Sequence, residues 1–245
     1  MKDRFCVISG NYPIARGIFR MRLFCPEHGV AAPGQFLNLK IDGLYLRRPI
    51  SICDWDKDSV DIVYKVIGKG TEALSKMASG SEISALMPLG NGFDTARCGQ
   101  KPLLVGGGVG VPPLYGLAKT LIAQGKKPLA AFGFNSAEDA MLVEEFEALG
   151  VPVHITTVDG TLGQKGFVTD AVREPDYTDY CACGPEPMLK AVFAACPTDG
   201  QLSFEARMAC GFGACMGCSC ETRSGSKRIC KDGPVLFKGD LLWRI

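Results

Sequence analysis

The chain has 245 residues, of which 47% are hydrophobic and 22% charged, and its net charge of +1 gives no electrostatic case for binding nucleic acid or an anionic membrane. The length corresponds to about two domains. The sequence has no apolar run of about eighteen residues and no signal-peptide-like start, so we expect a cytoplasmic protein without a transmembrane helix. Structural disulfides are rare in that compartment, so the clustered cysteines indicate metal binding or catalysis.

The first 97 residues are predicted to form short strands separated by Gly, Pro and Asp, which is typical of an antiparallel barrel or sandwich. The predicted strands include residues 4–10, 17–25, 35–41 and 59–67. Residues 71–80 interrupt them as a short helix, because Ala73, Leu74 and Met77 have helical spacing.

From residue 98 onward, strands and helices alternate, which predicts a parallel sheet with helices on both faces. Predicted strands cover residues 101–108, 127–134, 151–159 and 179–185, and predicted helices cover 112–125, 138–150, 166–174 and 186–196. The remainder, from about Ser203, is rich in Cys and Gly and too short to hold a core of its own.

Four cysteines in the C-terminal segment have the spacing of an iron–sulfur site. Cys210-x4-Cys215-x2-Cys218, followed by Cys230, matches the C-x4-C-x2-C…C pattern of plant-type [2Fe–2S] proteins. The small residues between them let the backbone wrap closely, and glycines can turn N–H groups toward sulfur. Cys220 would point away from Cys218 in an extended segment, so we expect it to pack behind the loop.

The alternative for this loop is a structural zinc site. Zinc ribbons usually carry two C-x2-C pairs, and this segment has one. We interpret the two histidines, His28 and His154, as structural, so neither a His-based zinc site nor a Ser-His-Asp triad is well supported.

Two segments of the strand-rich region have residue types that bind phosphate. Residues 48–51, Arg-Pro-Ile-Ser, are either an edge or terminal strand segment with a surface arginine, or a site where Arg pairs with a phosphate and Ser offers its hydroxyl. Residues 63–71 end in Gly68-x-Gly70-Thr71 before the short helix, where backbone N–H groups could hold a pyrophosphate.

A glycine-rich loop in residues 105–119 joins a predicted strand to a predicted helix, where a dinucleotide phosphate lies in open α/β sheets. Val111 occupies the third glycine position of the G-x-G-x-x-G fingerprint, so the match is incomplete. No acidic residue stands at the expected ribose position, which leaves NAD and NADP both open. The alternative is a tight turn that needs glycines.

These segments, together with Cys183-Gly184-Pro185, resemble in type and order the ferredoxin–NADP reductase superfamily. The stretch "EARMACGFGACMGCSC" followed by "CKDGPVL" closely resembles the electron transfer subunits of type B dihydroorotate dehydrogenase. The resemblance covers nearly the whole chain. It implies an FAD-binding antiparallel β-barrel at residues 1–97, an NAD-binding α/β domain with an open parallel sheet at 98–203 and a [2Fe–2S] subdomain at 204–245.

The resemblance also implies roles for individual residues. Cys183 would lie near the nicotinamide and the flavin ring as the catalytic candidate. The implied FAD contacts are Arg48, Pro49, Ile50, Ser51, Val63, Tyr64, Lys65, Gly70 and Thr71. The implied contacts to the nucleotide phosphates are Gly106, Gly107, Gly108 and Gly110. The implied cluster ligands are Cys210, Cys215, Cys218 and Cys230.

As a member of this family the chain would carry electrons from the FMN of a partner catalytic subunit, through the cluster and FAD, to NAD+ in pyrimidine (UMP) biosynthesis. It would not oxidise dihydroorotate alone, and the complex would be a heterotetramer of two plus two chains. Residues 230–243 should help to form the docking surface, with Trp243 either an anchor in it or buried beneath the cluster loop.

Two enzymatic alternatives use the same residues: a stand-alone NAD(P)H reductase that serves a ferredoxin or an oxygenase, and a subunit of an NADH-dependent ferredoxin:NADP oxidoreductase. In the latter relatives an Asp replaces one thiolate, and this chain has no Asp beside Cys210. A third alternative is a non-enzymatic, zinc-binding interaction module.

Overall fold

The N-terminal region is a closed six-stranded antiparallel barrel. The computed structural model describes residues 1–173 and 176–243. The barrel strands are β1 (Lys2–Ala15), β2 (Ile18–Phe24), β3 (Phe36–Leu39), β4 (Arg48–Trp55), β5 (Ser59–Lys65) and β6 (Glu82–Leu89). They pair in the order β1-β2-β5-β4-β3-β6 and close on themselves. Of the two predicted architectures, the structure is therefore a barrel and not a sandwich.

Alternating side chains fill the barrel. In β6, Ile83, Ala85, Met87 and Leu89 are buried and the residues between them are not, as a strand with one solvent-facing side requires. Helix α1 (Lys69–Ser75) lies between β5 and β6, and begins two residues before the predicted helix. Residues 48–51 pair with β3 alone, because the pairing of β4 with β5 begins at Ile52, so this end of β4 has one unpaired edge, as the edge-strand interpretation expects. Pro49 is the second residue of β4, where a missing N–H is tolerated.

The second region is a seven-stranded sheet with the order β10-β9-β8-β7-β11-β12-β15. Its strands are β7 (Pro102–Gly107), β8 (Leu129–Phe134), β9 (Val153–Thr157), β10 (Gln164–Lys165), β11 (Asp179–Cys183), β12 (Gly200–Ser203) and β15 (Val235–Phe237). All neighbouring pairs are parallel except β12 with β15, which is antiparallel. The sheet is therefore open and mostly parallel, as predicted. The antiparallel edge strand β15 was not predicted.

Among the described residues, four α-helices accompany this sheet: α2 (Pro112–Ala123), α3 (Val143–Ala148), α4 (Val168–Ala171) and α5 (Glu186–Ala195). The prediction for α3 was too long, because residues 137–139 form a separate single turn and Leu142 has a positive φ of 61° that starts the helix anew. The predicted end of α4, Glu174, lies outside the described residues. No helix within the described parts of the chain has the length and apolar character needed to cross a bilayer.

The C-terminal segment forms the hairpin of β13 (Ser219–Thr222) and β14 (Gly225–Arg228), and then returns to the main sheet as β15. Its buried residues Cys218, Ile229 and Leu236 share one core with Leu189 and Val192 of α5. The segment is thus stabilised by the nucleotide region, as its short length requires. The domain bounds at residues 97/98 and 203/204 stay a prediction.

Close packing fixes the barrel against the sheet. A Cβ on Gly116 of α2 would lie 2.8 Å from the Trp55 ring and 2.9 Å from the Cys53 carbonyl oxygen, so only glycine allows this contact with β4. Asp139 lies 3.3 Å from the Arg16 guanidinium and 3.7 Å from the Lys65 ammonium, both of the barrel. These contacts set the spacing of the cleft between the two regions.

Candidate functional site

The cysteine loop is shaped by residues in left-handed backbone conformation. Gly211, Gly213 and Met216 have φ values of 76°, 90° and 61°. The loop turns the N–H groups of Ala214 and Cys215 toward Cys210 Sγ, at 3.3 and 3.5 Å. Donors aimed at a sulfur stabilise its thiolate, which is the form that binds iron.

The ionisation of Cys210 follows from these donors. Burial alone would raise its pKa, but the N–H groups of Cys215, Phe212 and Ala214 outweigh that effect, and the pKa falls to about 6. Cys215 also contacts the Cys210 thiol.

Cys218 and Cys230 form the second pair, and both are buried. The Cys230 N–H donates to Cys218 Sγ at 3.4 Å. Burial and the adjacent Cys218 thiol raise the pKa of Cys230 to about 12. The Arg228 guanidinium connects the segment around Cys230 to the cysteine loop. It donates to the Gly213 carbonyl oxygen and to the Asp232 carboxylate, both at 3.0 Å.

The four predicted ligands are therefore brought together as two pairs, Cys210 with Cys215 and Cys218 with Cys230. Two pairs of thiolates are what a two-iron cluster needs, and the inward N–H groups fit its sulfur atoms. Cys220, in β13, is half-buried and its thiol lies 3.7 Å from the Glu221 carbonyl oxygen. It lies outside both pairs, as predicted.

A cavity of about 650 Å³ lies along the barrel wall. All nine residues implied to contact FAD line it: Arg48, Pro49, Ile50, Ser51, Val63, Tyr64, Lys65, Gly70 and Thr71. A Cβ on Gly70 would lie 2.2 Å from Arg48 Nε, so glycine leaves room for the guanidinium beside the start of α1. A guanidinium beside the first turn of α1 suits a pyrophosphate.

Two of these side chains, Tyr64 and Thr71, use their hydroxyl groups in hydrogen bonds within the protein. The Tyr64 hydroxyl donates to Asn11 Oδ1 at 2.9 Å, and the Thr71 hydroxyl accepts from the Ile67 N–H at 2.9 Å and donates to the Gly68 carbonyl at 3.1 Å. Burial raises the pKa of Tyr64 to about 12, although the bond to Asn11 opposes the shift. Tyr64 and Thr71 thus shape the cavity through backbone and packing.

A second cavity, of about 630 Å³, lies at the carboxyl ends of β7, β8 and β11. Gly107 and Gly108 line it, together with Val109. Gly106 and Gly110 are not among the residues that line it. A Cβ on Gly106 would lie 2.6 Å from the Val111 side chain, and one on Gly110 only 2.1 Å from the Cys183 carbonyl oxygen. Two of the four glycines implied to face the phosphates therefore allow close packing of the loop.

Cys183 lies behind this cavity and is 4% exposed. Its backbone carbonyl supports Gly110 of the glycine loop. Burial, with a smaller contribution from the Glu205 carboxylate and an opposing one from Ser203, raises the pKa of Cys183 to about 12. The thiol is neutral at physiological pH, so it is not a nucleophile.

The two cavities meet at Lys65, Val109 and Glu205, which line both. Glu205 is exposed to solvent, and partial desolvation by the protein atoms around its carboxyl raises the pKa of that group. The sequence analysis missed Glu205, which lies two residues after β12, a strand that the sequence analysis did not predict. It also missed the C-terminal part of the flavin-side wall, Phe204, Ala206, Arg207, Met208 and Pro234.

Trp243 packs within the protein. The centre of the Trp243 ring lies 5.5 Å from the centre of the Phe193 ring and 5.3 Å from that of the Phe204 ring. The Lys190 ammonium lies 5.6 Å from the centre of the Trp243 ring. The structure thus favours packing over an anchoring role. In the cluster loop, Phe212 and Met216 are 43% and 53% exposed, and Cys215 is exposed.

Comparisons with known proteins agree across the whole chain. Residues 205–242 match the family described as the iron-sulfur cluster binding domain of dihydroorotate dehydrogenase B, and residues 104–193 match the oxidoreductase NAD-binding domain. Relatives named dihydroorotate dehydrogenase B (NAD(+)), electron transfer subunit, occur in Fusobacterium nucleatum (40% identity, 98% of this chain, 99% of the relative) and Lysinibacillus sphaericus (44%, 97% and 97%). A solved structure of an NADH-dependent reduced ferredoxin-NADP oxidoreductase is similar with a TM-score of 0.87, at 29% identity over 97% of this chain and 90% of that one.

Proposed function

This chain belongs to the family of dihydroorotate dehydrogenase B electron transfer subunits, and on that basis we propose that it passes electrons from the FMN of a partner catalytic subunit, by way of a [2Fe–2S] cluster and FAD, to NAD+. The partner oxidises dihydroorotate to orotate in pyrimidine biosynthesis, and the complex contains two copies of each chain. We place it in the cytoplasm, because all twelve cysteines, each within the described residues, are free thiols.

The contiguity of the three sites carries this proposal. The nucleotide cavity and the flavin cavity share Lys65, Val109 and Glu205, and the wall segment that includes Glu205 and Met208 leads directly into Cys210. A bound flavin exchanges a hydride with a nicotinamide and single electrons with an iron–sulfur cluster. A single chain with adjoining sites for all three groups can convert two-electron into one-electron transfer.

The chain's own residues would hold these groups as follows. Arg48 and the backbone at Gly70 and Thr71 would bind the FAD pyrophosphate, and Ser51 would hydrogen-bond the flavin. Gly107 and Gly108 would let the nucleotide phosphates approach the backbone. Glu205, whose carboxyl pKa is raised by partial desolvation, would line the meeting point of the nicotinamide and flavin sites. The thiol of Cys183 would stay protonated and support the glycine loop.

The partner would dock over the cluster loop. Cys215 is exposed, and Phe212 and Met216 beside it present apolar side chains to solvent. A cluster held near the surface shortens the distance to an external flavin, and exposed apolar side chains next to it suit a protein contact.

The decisive experiment is dihydroorotate-dependent NAD+ reduction by the FMN-containing catalytic subunit, measured with and without this chain. We expect NADH formation only when both chains are present, and co-purification of the two in equal amounts. Full NAD+ reduction by the catalytic subunit alone would contradict the proposal. Efficient transfer from NADH to a soluble ferredoxin, without stable binding of the catalytic subunit, would favour the stand-alone reductase.

A further inference from the structure

A second group of metal-ligand side chains lies away from the cofactor cleft. The ligand atoms of Cys98, Asp179 and Cys181 all lie within 4.8 Å of one another. Cys98 follows the single helical turn Thr95–Arg97, in the segment that joins the barrel to β7. Asp179 and Cys181 are alternate residues of β11, so their side chains leave the same face of that strand.

The separation of the two thiols fits one metal ion. Cys98 Sγ and Cys181 Sγ are 3.7 Å apart. Two sulfurs at 2.3 Å from a tetrahedral zinc ion would be about 3.8 Å apart. The set of two thiolates and one carboxylate is one that zinc binds, and soft thiolates disfavour magnesium or calcium.

Neighbouring groups already orient the ligands. Asp179 Oδ1 accepts from the Gly99 N–H and from the Thr178 hydroxyl, both at 2.7 Å. The Gln201 side-chain amide donates to Cys98 Sγ at 3.6 Å. Hydrogen bonds of this kind to the ligands are a regular feature of metal sites, because they fix the ligand atoms and stabilise their charge.

The group also has a route to solvent and a nearby positive charge. Asp179 and Gln201 line a surface cavity of about 380 Å³, which would admit the ion and supply a water as the fourth ligand. The Lys126 ammonium donates to the carbonyl oxygens of Thr95 and Cys98, at 2.5 and 2.6 Å. These two hydrogen bonds hold the Cys98 segment in place.

We propose that Cys98, Asp179 and Cys181 bind one zinc ion, with a water from the adjoining cavity as the fourth ligand. Binding releases the two thiol protons to solvent. Three protein ligands and a water differ from a closed structural site, in which the protein supplies all four ligands. When filled, the site fastens the segment after the barrel to β11, whose other end carries Cys183 at the cofactor cleft.

The test uses the full chain with its FAD and iron–sulfur cluster in place. The protein is incubated with zinc chloride, desalted, and analysed for zinc and iron per chain by mass spectrometry of the metals. Asp179→Asn keeps an oxygen that can accept from Gly99 and Thr178, so it should fold while losing a charged ligand. Cys181→Ser removes a thiolate. The matched control is Cys25→Ser, since Cys25 and Cys6 also form a buried thiol contact in the barrel core.

We expect the unmodified chain and Cys25→Ser to retain one zinc ion per chain with unchanged iron. Asp179→Asn and Cys181→Ser should each bind zinc at least tenfold more weakly in a chelator competition. Absence of zinc from the unmodified chain would overturn the proposal. So would equal zinc retention in Asp179→Asn and Cys181→Ser, or zinc uptake that displaces iron to the same extent in all four proteins.

Discussion

Replacing Gly110 with alanine should separate two loops that border the nucleotide cavity. A Cβ at position 110 would lie 2.1 Å from the Cys183 carbonyl oxygen and 2.7 Å from the Gly184 Cα. Both are backbone atoms, which cannot rotate away. Because comfortable contacts are about 3.5 Å, the loops must move apart by roughly 1 Å.

The free-energy cost of the substitution can be estimated from this displacement. Forcing an extra methyl into a packed position costs about 1–3 kcal/mol, which in a protein of this size lowers the melting temperature by roughly 2–12 °C. Gly107, Gly108 and Pro185 on the same loops line the cavity, so the nucleotide would be misplaced as well. We expect the rate of flavin reduction by NADH to fall about tenfold or more.

The assay combines thermal unfolding, followed by near-ultraviolet circular dichroism, with stopped-flow reduction of the flavin by NADH. Gly239→Ala is the matched control, because a Cβ there meets no atom within 4 Å and its backbone φ is not left-handed. The control should behave as the unmodified chain. A Gly110→Ala protein with unchanged melting temperature and unchanged reduction rate would refute the packing argument.

Three further substitutions test single sites. Cys215→Ser should abolish the visible and paramagnetic signals of the cluster yet leave flavin reduction by NADH largely intact; loss of both would contradict separate sites. Ser51→Ala should lower FAD content or slow flavin reduction, and unchanged values for both would remove Ser51 from the site. In the cofactor-free protein, partial desolvation raises the carboxyl pKa of Glu205 although the side chain is exposed, so its ionisation lowers stability slightly as pH rises through the ordinary range of a glutamate. Glu205→Gln should therefore raise the melting temperature at pH 7 but not at pH 4, and an equal gain at both would show that ionisation plays no part.

Local patterns were enough to predict the elements that form the framework. Each of the four strands predicted from residue 101 to 185 occurs, because its apolar run is bounded by Gly, Pro or charged residues. The cysteine spacing and the glycines likewise predicted a tight loop that brings Cys210 and Cys215 together. Cys230 reaches Cys218 through the hairpin of β13 and β14, which the sequence analysis did not predict.

What was missed depends on contacts between distant parts of the chain. Strand β15 has only three residues and exists because it pairs with β12, more than thirty positions earlier. Glu205 reaches both cavities only because β12 lies next to β11 in the sheet. Gly110 looked like a phosphate contact, and only the position of the Cys183 carbonyl shows its packing role.

The account rests on a flavin that links the nucleotide to the cluster within this chain. The most direct measurement is an anaerobic titration of the isolated protein with NADH, monitored by electron paramagnetic resonance, on protein stripped of FAD and again after FAD is restored. We predict that NADH produces the signal of a reduced [2Fe–2S] cluster only in the protein with FAD. The same signal at the same rate without FAD, or none in the restored protein, would contradict the account.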